Sequence, residues 1–231
     1  MLGQIIAPVG TEEYPPRKRF PIVTAAIVIL NIVVFLIELS ILLTNGESAL
    51  DVFFKSYGVV PAAITGGINL PIPFYFTLFT SMFVHAGFSH LGFNMLYLMA
   101  FGDNVEDRLG RLSYLVFYLL SGLAAAFTQI AIDPSSQIPG VGASGAIAGV
   151  LAGYIVLYPK GIVRMLLLFG IFFTITRVSA ILFIIFWFIT QLFIGVASLG
   201  VATAQTGGVA YWAHIGGFIT GLVLAFVYRK T

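Results

Sequence analysis

Charged residues are scarce in this chain, at 9% of 231 residues against roughly 25% in an ordinary soluble domain. Because 59% of the residues are hydrophobic, too little polar surface exists to cover a globule in water, so the sequence is that of an integral membrane protein. Cysteine is absent, which excludes disulfides, thiolate metal sites and cysteine nucleophiles. The net charge of +2 is too small for a basic surface that binds nucleic acid.

Long apolar stretches are the main feature that the sequence does contain. A helix needs about 20 mostly apolar residues to cross the roughly 30 Å of hydrocarbon in a bilayer. Six stretches meet or approach this length, at residues 21–43, 79–101, 112–132, 144–158, 178–199 and 209–228. The fourth is conspicuously short. We therefore predict an all-α polytopic membrane protein, a six-helix bundle with a short fourth helix.

The basic residues predict the orientation of these spans. With the N-terminus inside, ten of the eleven Lys and Arg lie on the cytoplasmic side and only Lys55 lies outside. This predicts a multi-pass protein of the cell membrane with both termini cytoplasmic, residues 1–20 being a tail and residues 21–231 one membrane-embedded domain. We expect the long external loop 44–78 to lie partly in the interface and the apolar stretch 165–176 to be interfacial or re-entrant.

Ionisable or strongly polar side chains within or beside the spans are functional candidates. Those that we select are the three histidines of the chain, one amide and one serine, namely His85, His90, His214, Asn94 and Ser144. At 1.5 Å per residue, Ser144 and His214 each lie about 21 Å above the cytoplasmic end of their own helix. This predicts that the two residues lie at the same depth in the membrane.

Glycines at four-residue spacing follow both of these residues. Gly145 and Gly149 lie in the fourth span, and Gly217 and Gly221 lie in the sixth. Small-residue stripes let helix backbones approach closely, so packing of these two helices would bring histidine to serine. Packing alone also explains several of the glycines, but it does not explain Ser144.

A serine and a histidine at one depth predict nucleophilic catalysis, because a neighbouring imidazole can take the hydroxyl proton. No carboxylate lies at this depth, since Glu38 is placed near the outer interface and Asp133 in a loop, so we predict a Ser–His dyad. The backbone N–H of Ser144 at a helix N-terminus, together with Asn94 or His90, would supply an oxyanion hole. The alternative for Asn94 is an interhelical hydrogen bond.

The sequence resembles the rhomboid family of intramembrane serine proteases. The resemblance rests on three motifs in order, with a further similarity in the segment at residues 106–110: His85-x4-His90-x3-Asn94, Gly142-Ala143-Ser144-Gly145, and Ala213-His214-Ile215-Gly216-Gly217. It implies a six-helix core, a Ser144–His214 dyad in a water-filled cavity, no cofactor, and lateral entry of substrates past a mobile fifth helix. It also implies cleavage of transmembrane protein substrates in the outer half of the lipid bilayer, with oxyanion and substrate binding by Ser144, His90, Asn94 and Gly142.

One position departs from this family pattern. Many members carry a tyrosine four residues after the nucleophile that stacks on the catalytic histidine, whereas this chain has Ala148. What orients His214 is therefore unexplained by the sequence, and the oligomeric state is also left open.

Other classes of protein fit the sequence less well. A polytopic transporter would distribute polar groups through the membrane, and an inactive rhomboid-like scaffold would be expected to lose Ser144 or His214. A zinc protease would need a motif such as HExxH, which the sequence lacks, so we expect no metal.

Overall fold

The computed structural model describes residues 5–13, 17–66, 71–169, 172–199 and 209–229, and most of these are helical. In chain order the elements are β1 (Ile5–Glu12), α1 (Ile22–Asn45), α2 (Glu47–Tyr57), α3 (Pro61–Gly66), α4 (Phe74–Thr80), a 3-10 turn (Ser81–Phe83), α5 (Phe88–Tyr97), a π-helical segment (Leu98–Gly102), α6 (Asp103–Leu109), α7 (Arg111–Ile132), α8 (Ser144–Leu157), β2 (Ile162–Phe169), β3 (Phe172–Ser179), α9 (Ala180–Ala197) and α10 (Tyr211–Arg229).

Four helices in the described part of the chain are long and apolar enough to cross a membrane: α1, α7, α9 and α10. Their bounds lie within a few residues of four predicted spans. Helix α8 has 14 residues, or about 21 Å, which is shorter than the hydrocarbon layer, so it is the short fourth helix that the sequence predicts.

The predicted second span has a different construction. Helix α5, the π-helical segment and α6 follow one another without a break, but this helical run begins at Phe88 instead of residue 79. The backbone is extended at Val84 and at Gly87, so residues 84–87 form a non-helical link. His85 therefore lies before the helix, while His90 and Asn94 lie within it.

The short helix α8 is the centre of the bundle. Its residues are buried on nearly every face, as expected for a helix that is apolar all round. Helices α7 and α10 flank it and contribute most of its contacts, and the π-helical segment closes a further side. The nucleophile candidate at its first residue is therefore held by the most enclosed element of the fold.

Glycines set the distance between α8 and α10. A Cβ atom at Gly217 would overlap the carbonyl oxygen of Gly145, and one at Gly221 would overlap the backbone of Gly149. The helices touch backbone to backbone along this seam, as the small-residue stripes predict.

A buried carboxylate fastens α1 to the rest of the bundle. Glu106 of α6 is 3% exposed and accepts hydrogen bonds from the N–H groups of Val23 and Thr24 at 3.0 and 2.8 Å. It also accepts one from the Thr24 hydroxyl at 2.8 Å. Since the first N–H groups of a helix lack intrahelical partners, Glu106 acts as a cap supplied by another helix.

The prediction of an all-α chain is wrong, because the structure contains a three-stranded antiparallel sheet in the order β1-β2-β3. Strands β2 and β3 form a hairpin, with Ile162 opposite Ser179 and Phe169 opposite Phe172. This hairpin contains the stretch 165–176, of which residues 170 and 171 lie outside the described residues. Strand β3 is rich in β-branched and aromatic residues, which favour a pleated conformation over a helical one.

The third strand comes from the segment predicted as an N-terminal tail. Strand β1 pairs antiparallel with β2, with one irregularity in register. The Thr11 hydroxyl donates to the carbonyl of Ala100 at 3.1 Å, and the Tyr154 hydroxyl donates to Glu13 at 2.9 Å. Residues 5–13 are therefore fixed to the helices by the sheet and by side-chain hydrogen bonds.

Candidate active site

The structure brings Ser144 and His214 together. The Ser144 Oγ atom lies 2.8 Å from Nε2 of His214, although 70 residues separate them in the chain. Ser144 is the first residue of α8 and His214 lies in the first turn of α10. The close glycine seam between these helices accounts for the short distance, since both side chains project at one end of it.

The start of α8 presents backbone donors beside the serine hydroxyl. The first backbone bond of this helix runs from the Ile147 N–H to the Ala143 carbonyl. The N–H groups of the preceding residues, including Ser144, are those that an α-helix leaves without intrahelical acceptors. Such a terminus is suited to a developing negative charge.

The loop before the serine depends on a glycine. Gly142 has φ +118°, a conformation that other residues rarely adopt, and a Cβ atom there would lie 2.6 Å from Nε2 of His90. The Gly142 N–H donates to the Ser81 carbonyl at 2.8 Å, which ties the loop to the 3-10 turn. Gly142 therefore lets the imidazole of His90 lie directly against the backbone that leads to Ser144.

His90 and Asn94 lie one turn apart on α5, facing this loop. The Ala86 N–H donates to Nδ1 of His90 at 3.4 Å, which leaves Nε2 to carry the proton on the side of Gly142. Asn94 is 6% exposed, and its Nδ2 donates to the His90 carbonyl at 2.8 Å within the same helix. Because an amide has two hydrogens, one donor of Asn94 is left for another acceptor.

Two residues of α9, which the sequence analysis missed, contact the imidazole of His214. The Nδ1 atom of His214 lies 2.7 Å from Oε1 of Gln191. The indole ring of Trp187 lies 5.8 Å from the imidazole between ring centroids, at an interplanar angle of 37°. An amide inside an apolar span was the available signal for Gln191, by the same reasoning that selected Asn94.

The third histidine lies beside the site without joining the dyad. His85 is fully buried, with its ring 5.0 Å from that of His90 between centroids. The backbone N–H of His85 donates to Oε1 of Glu38 at 3.1 Å, and the Glu38 side chain is itself buried in the bundle. Within the described ranges, no three His, Asp or Glu side chains are grouped to hold a metal ion.

Two cavities have Ser144 in their lining. One of about 70 Å³ is lined by small residues that include Ala125, Gly142, Ala146 and Ala213. The other, of about 230 Å³, is open at one side and contains Ser144 and His214 in its wall, together with Phe93, Asn94, Ala148 and Trp187. Ser144 therefore lines both cavities.

Comparison with known proteins identifies the family. A profile described as the rhomboid domain matches residues 74–231, well over half of the chain. Rhomboid-like protein 11, chloroplastic, of Arabidopsis thaliana is 27% identical over 199 residues, which cover 82% of this chain and 64% of that protein. RHOMBOID-like protein 4 of Arabidopsis thaliana is 29% identical over 238 residues, covering 94% of this chain and 55% of that protein.

A bacterial relative is named as a protease. Rhomboid protease GluP of Bacillus subtilis (strain 168) is 36% identical over 77 residues, which cover 33% of this chain and 15% of that protein. The chain belongs to the rhomboid family, as its motifs predict, and is a membrane protein. It spans between about two fifths and two thirds of the length of the first curated relatives that it matches.

Proposed function

We propose that this chain is a serine endopeptidase that cleaves transmembrane segments of other proteins within the membrane, using Ser144 and His214. The observation that carries the proposal is the 2.8 Å contact between Ser144 Oγ and His214 Nε2 at the start of a short, enclosed helix. The rhomboid family, in which relatives are named as proteases, supports it. A scaffold needs no such contact.

The reaction follows from the positions of these groups. Nε2 of His214 takes the Ser144 proton while Oγ attacks the scissile carbonyl carbon, and the carbonyl oxygen becomes an oxyanion. The oxyanion would accept hydrogen bonds from the Ser144 N–H, the free hydrogen of Asn94 and the His90 Nε2–H. Collapse of this tetrahedral intermediate breaks the C–N bond, and the leaving amine takes the proton from His214. Water, deprotonated by His214, then attacks the acyl-enzyme and releases Ser144 through a second tetrahedral intermediate.

The size of the smaller cavity predicts a substrate preference. About 70 Å³ beside the nucleophile, with Ala, Gly and Ser making up most of its lining, favours a small side chain over a large aromatic one. We therefore propose that the residue preceding the cleaved bond is Ala, Gly or Ser. Replacing this residue of the substrate by Phe should lower kcat/KM by at least about tenfold.

The membrane arrangement is part of the proposal. Six spans would cross the bilayer lipid, with both termini on the cytoplasmic side. They are α1, the run from α5 to α6, α7, the short α8, α9 and α10. This orientation rests on the distribution of Lys and Arg. It places the start of α8 in the outer half of the membrane.

Labelling with a fluorophosphonate tests the nucleophile. Purified protein should be labelled and should cleave a reporter transmembrane segment, whereas Ser144→Ala should do neither. Ser135→Ala, which removes a loop serine, is the matched control and should behave as wild type. Equal labelling of Ser144→Ala would refute the serine mechanism, and loss of cleavage with EDTA would instead indicate a metal-dependent reaction.

A further inference from the structure

We propose that Gln191 of α9 is the residue that positions His214, a role that rests on the proposed serine protease function. Its amide oxygen lies 2.7 Å from Nδ1 of His214, on the opposite side of the imidazole from Ser144. Sequence reasoning found a dyad without a third member. The structure assigns that third position to a neutral amide from a different helix.

The two contacts of the imidazole specify one tautomer. An amide oxygen can only accept a hydrogen bond, so Nδ1 of His214 must carry a proton and donate it in a hydrogen bond to Gln191. Nε2 then has a free lone pair directed at Ser144 Oγ, which is the arrangement that a general base requires. With the amide reversed, Gln191 would donate to Nδ1, and the Nε2 proton would face the serine.

The other end of the amide favours the same orientation. The Nε2 group of Gln191 lies 3.5 Å from Oγ1 of Thr190, which can accept its hydrogen. The Thr190 hydroxyl in turn donates to the carbonyl of Trp187 at 2.6 Å. This short chain of hydrogen bonds runs from the α9 backbone to the imidazole, so the helix backbone fixes the amide.

Helix α9 is itself held against α10 at the level of the site. Phe188 stacks on Phe218 with ring centroids 4.2 Å apart, and the indole N–H of Trp212 donates to the Gly195 carbonyl at 3.0 Å. Trp187 and Gln191 are four residues apart, so they share the face of α9 that meets the imidazole. Trp187 covers part of the ring and Gln191 fixes its rotation.

This arrangement answers the question that Ala148 raised. At that position the methyl side chain is fully buried and no aromatic ring from α8 is available to stack on His214. Orientation comes instead from α9. During attack by Ser144, His214 gains the hydroxyl proton at Nε2. Its Nδ1 proton stays on the ring and remains hydrogen-bonded to Gln191, so no proton passes to the amide.

Kinetics of three variants test this role. Gln191→Met keeps the length of the side chain but removes the acceptor, and kcat should fall at least about tenfold with KM changed less than about twofold. Gln191→Glu keeps an acceptor and should retain more activity than the Met variant, with the acid limb of its pH profile at higher pH. Phe193→Leu, on the exposed side of α9, is the control and should match wild type.

Nuclear magnetic resonance of nitrogen-labelled histidine gives a readout that does not depend on cleavage. His214, assigned by comparison with His214→Gln, should carry its proton on Nδ1 in the wild type and on Nε2 in Gln191→Met. A proton on Nε2 in the wild type would overturn the proposal, even where the Met variant does not fold.

The two proposals fail in different ways. If Ser144→Ala is inactive while Gln191→Met keeps the wild-type kcat and pH profile, the dyad stands and the positioning role is refuted. If Ser144→Ala cleaves normally, the protease mechanism itself is wrong, whatever the tautomer of His214.

Discussion

Replacing Gly217 by Ala should separate α8 and α10, the two helices that carry the proposed dyad. A Cβ atom at this position would overlap the carbonyl oxygen of Gly145, the residue after the nucleophile. The obstructing atom is backbone in the most enclosed helix of the fold, so no side chain can rotate away. Relief requires α8 and α10 to move apart.

The size of that movement decides the effect on activity. Restoring ordinary contact requires a displacement of about 1 Å or more, given an optimal separation of about 3.5 Å between heavy atoms. The 2.8 Å contact between Ser144 and His214 would then exceed the reach of about 3.2 Å for proton transfer. We expect kcat to fall about a hundredfold or more, and overpacking to destabilise the fold by about 1–3 kcal/mol.

Cleavage of a reporter segment and thermal unfolding in detergent measure the two effects separately. Gly221→Ala meets the backbone of Gly149 one turn further from the site, so it should destabilise similarly with a smaller loss of kcat. Gly92→Ala, where a Cβ atom meets nothing within 4 Å, is the control and should keep full activity. Wild-type activity and stability of Gly217→Ala would refute the close-contact account.

Three further predictions concern other parts of the molecule. Asn94→Ala should lower kcat about a hundredfold with a smaller change in KM, because one donor to the oxyanion is lost; melting of the protein with normal specific activity would indicate a structural role. Glu106→Ala should lower the free energy of unfolding by at least about 2 kcal/mol, because three buried donors lose their acceptor. Asp51→Asn, which removes an exposed ion pair, is the control, and equal stabilities of the two variants would contradict the capping role of Glu106. A cysteine at Ser135 should react with an impermeant thiol reagent in sealed cells and one at Lys160 should not; the reverse would overturn the orientation.

The helical part of the fold was largely predictable from the sequence. Runs of apolar residues must satisfy their backbone within each segment when lipid surrounds them, so length and composition predict helices. The sheet was not predictable in the same way, because β1 pairs with a hairpin about 150 residues further along the chain. Short apolar strands carry no periodic signal that separates them from interfacial segments.

Ser144 and His214 could be chosen from the sequence alone, since a hydroxyl and an imidazole at one depth, each followed by a glycine stripe, restrict how two helices can meet. Gln191 could not be assigned, because a single amide in an apolar helix does not state which ring it faces. That depends on how α9 is rotated against α10, which side-chain packing such as the Phe188–Phe218 stack decides. Local sequence therefore determined the proposed nucleophile and its proposed base, and only the tertiary structure decided which side chain contacts the other side of the imidazole.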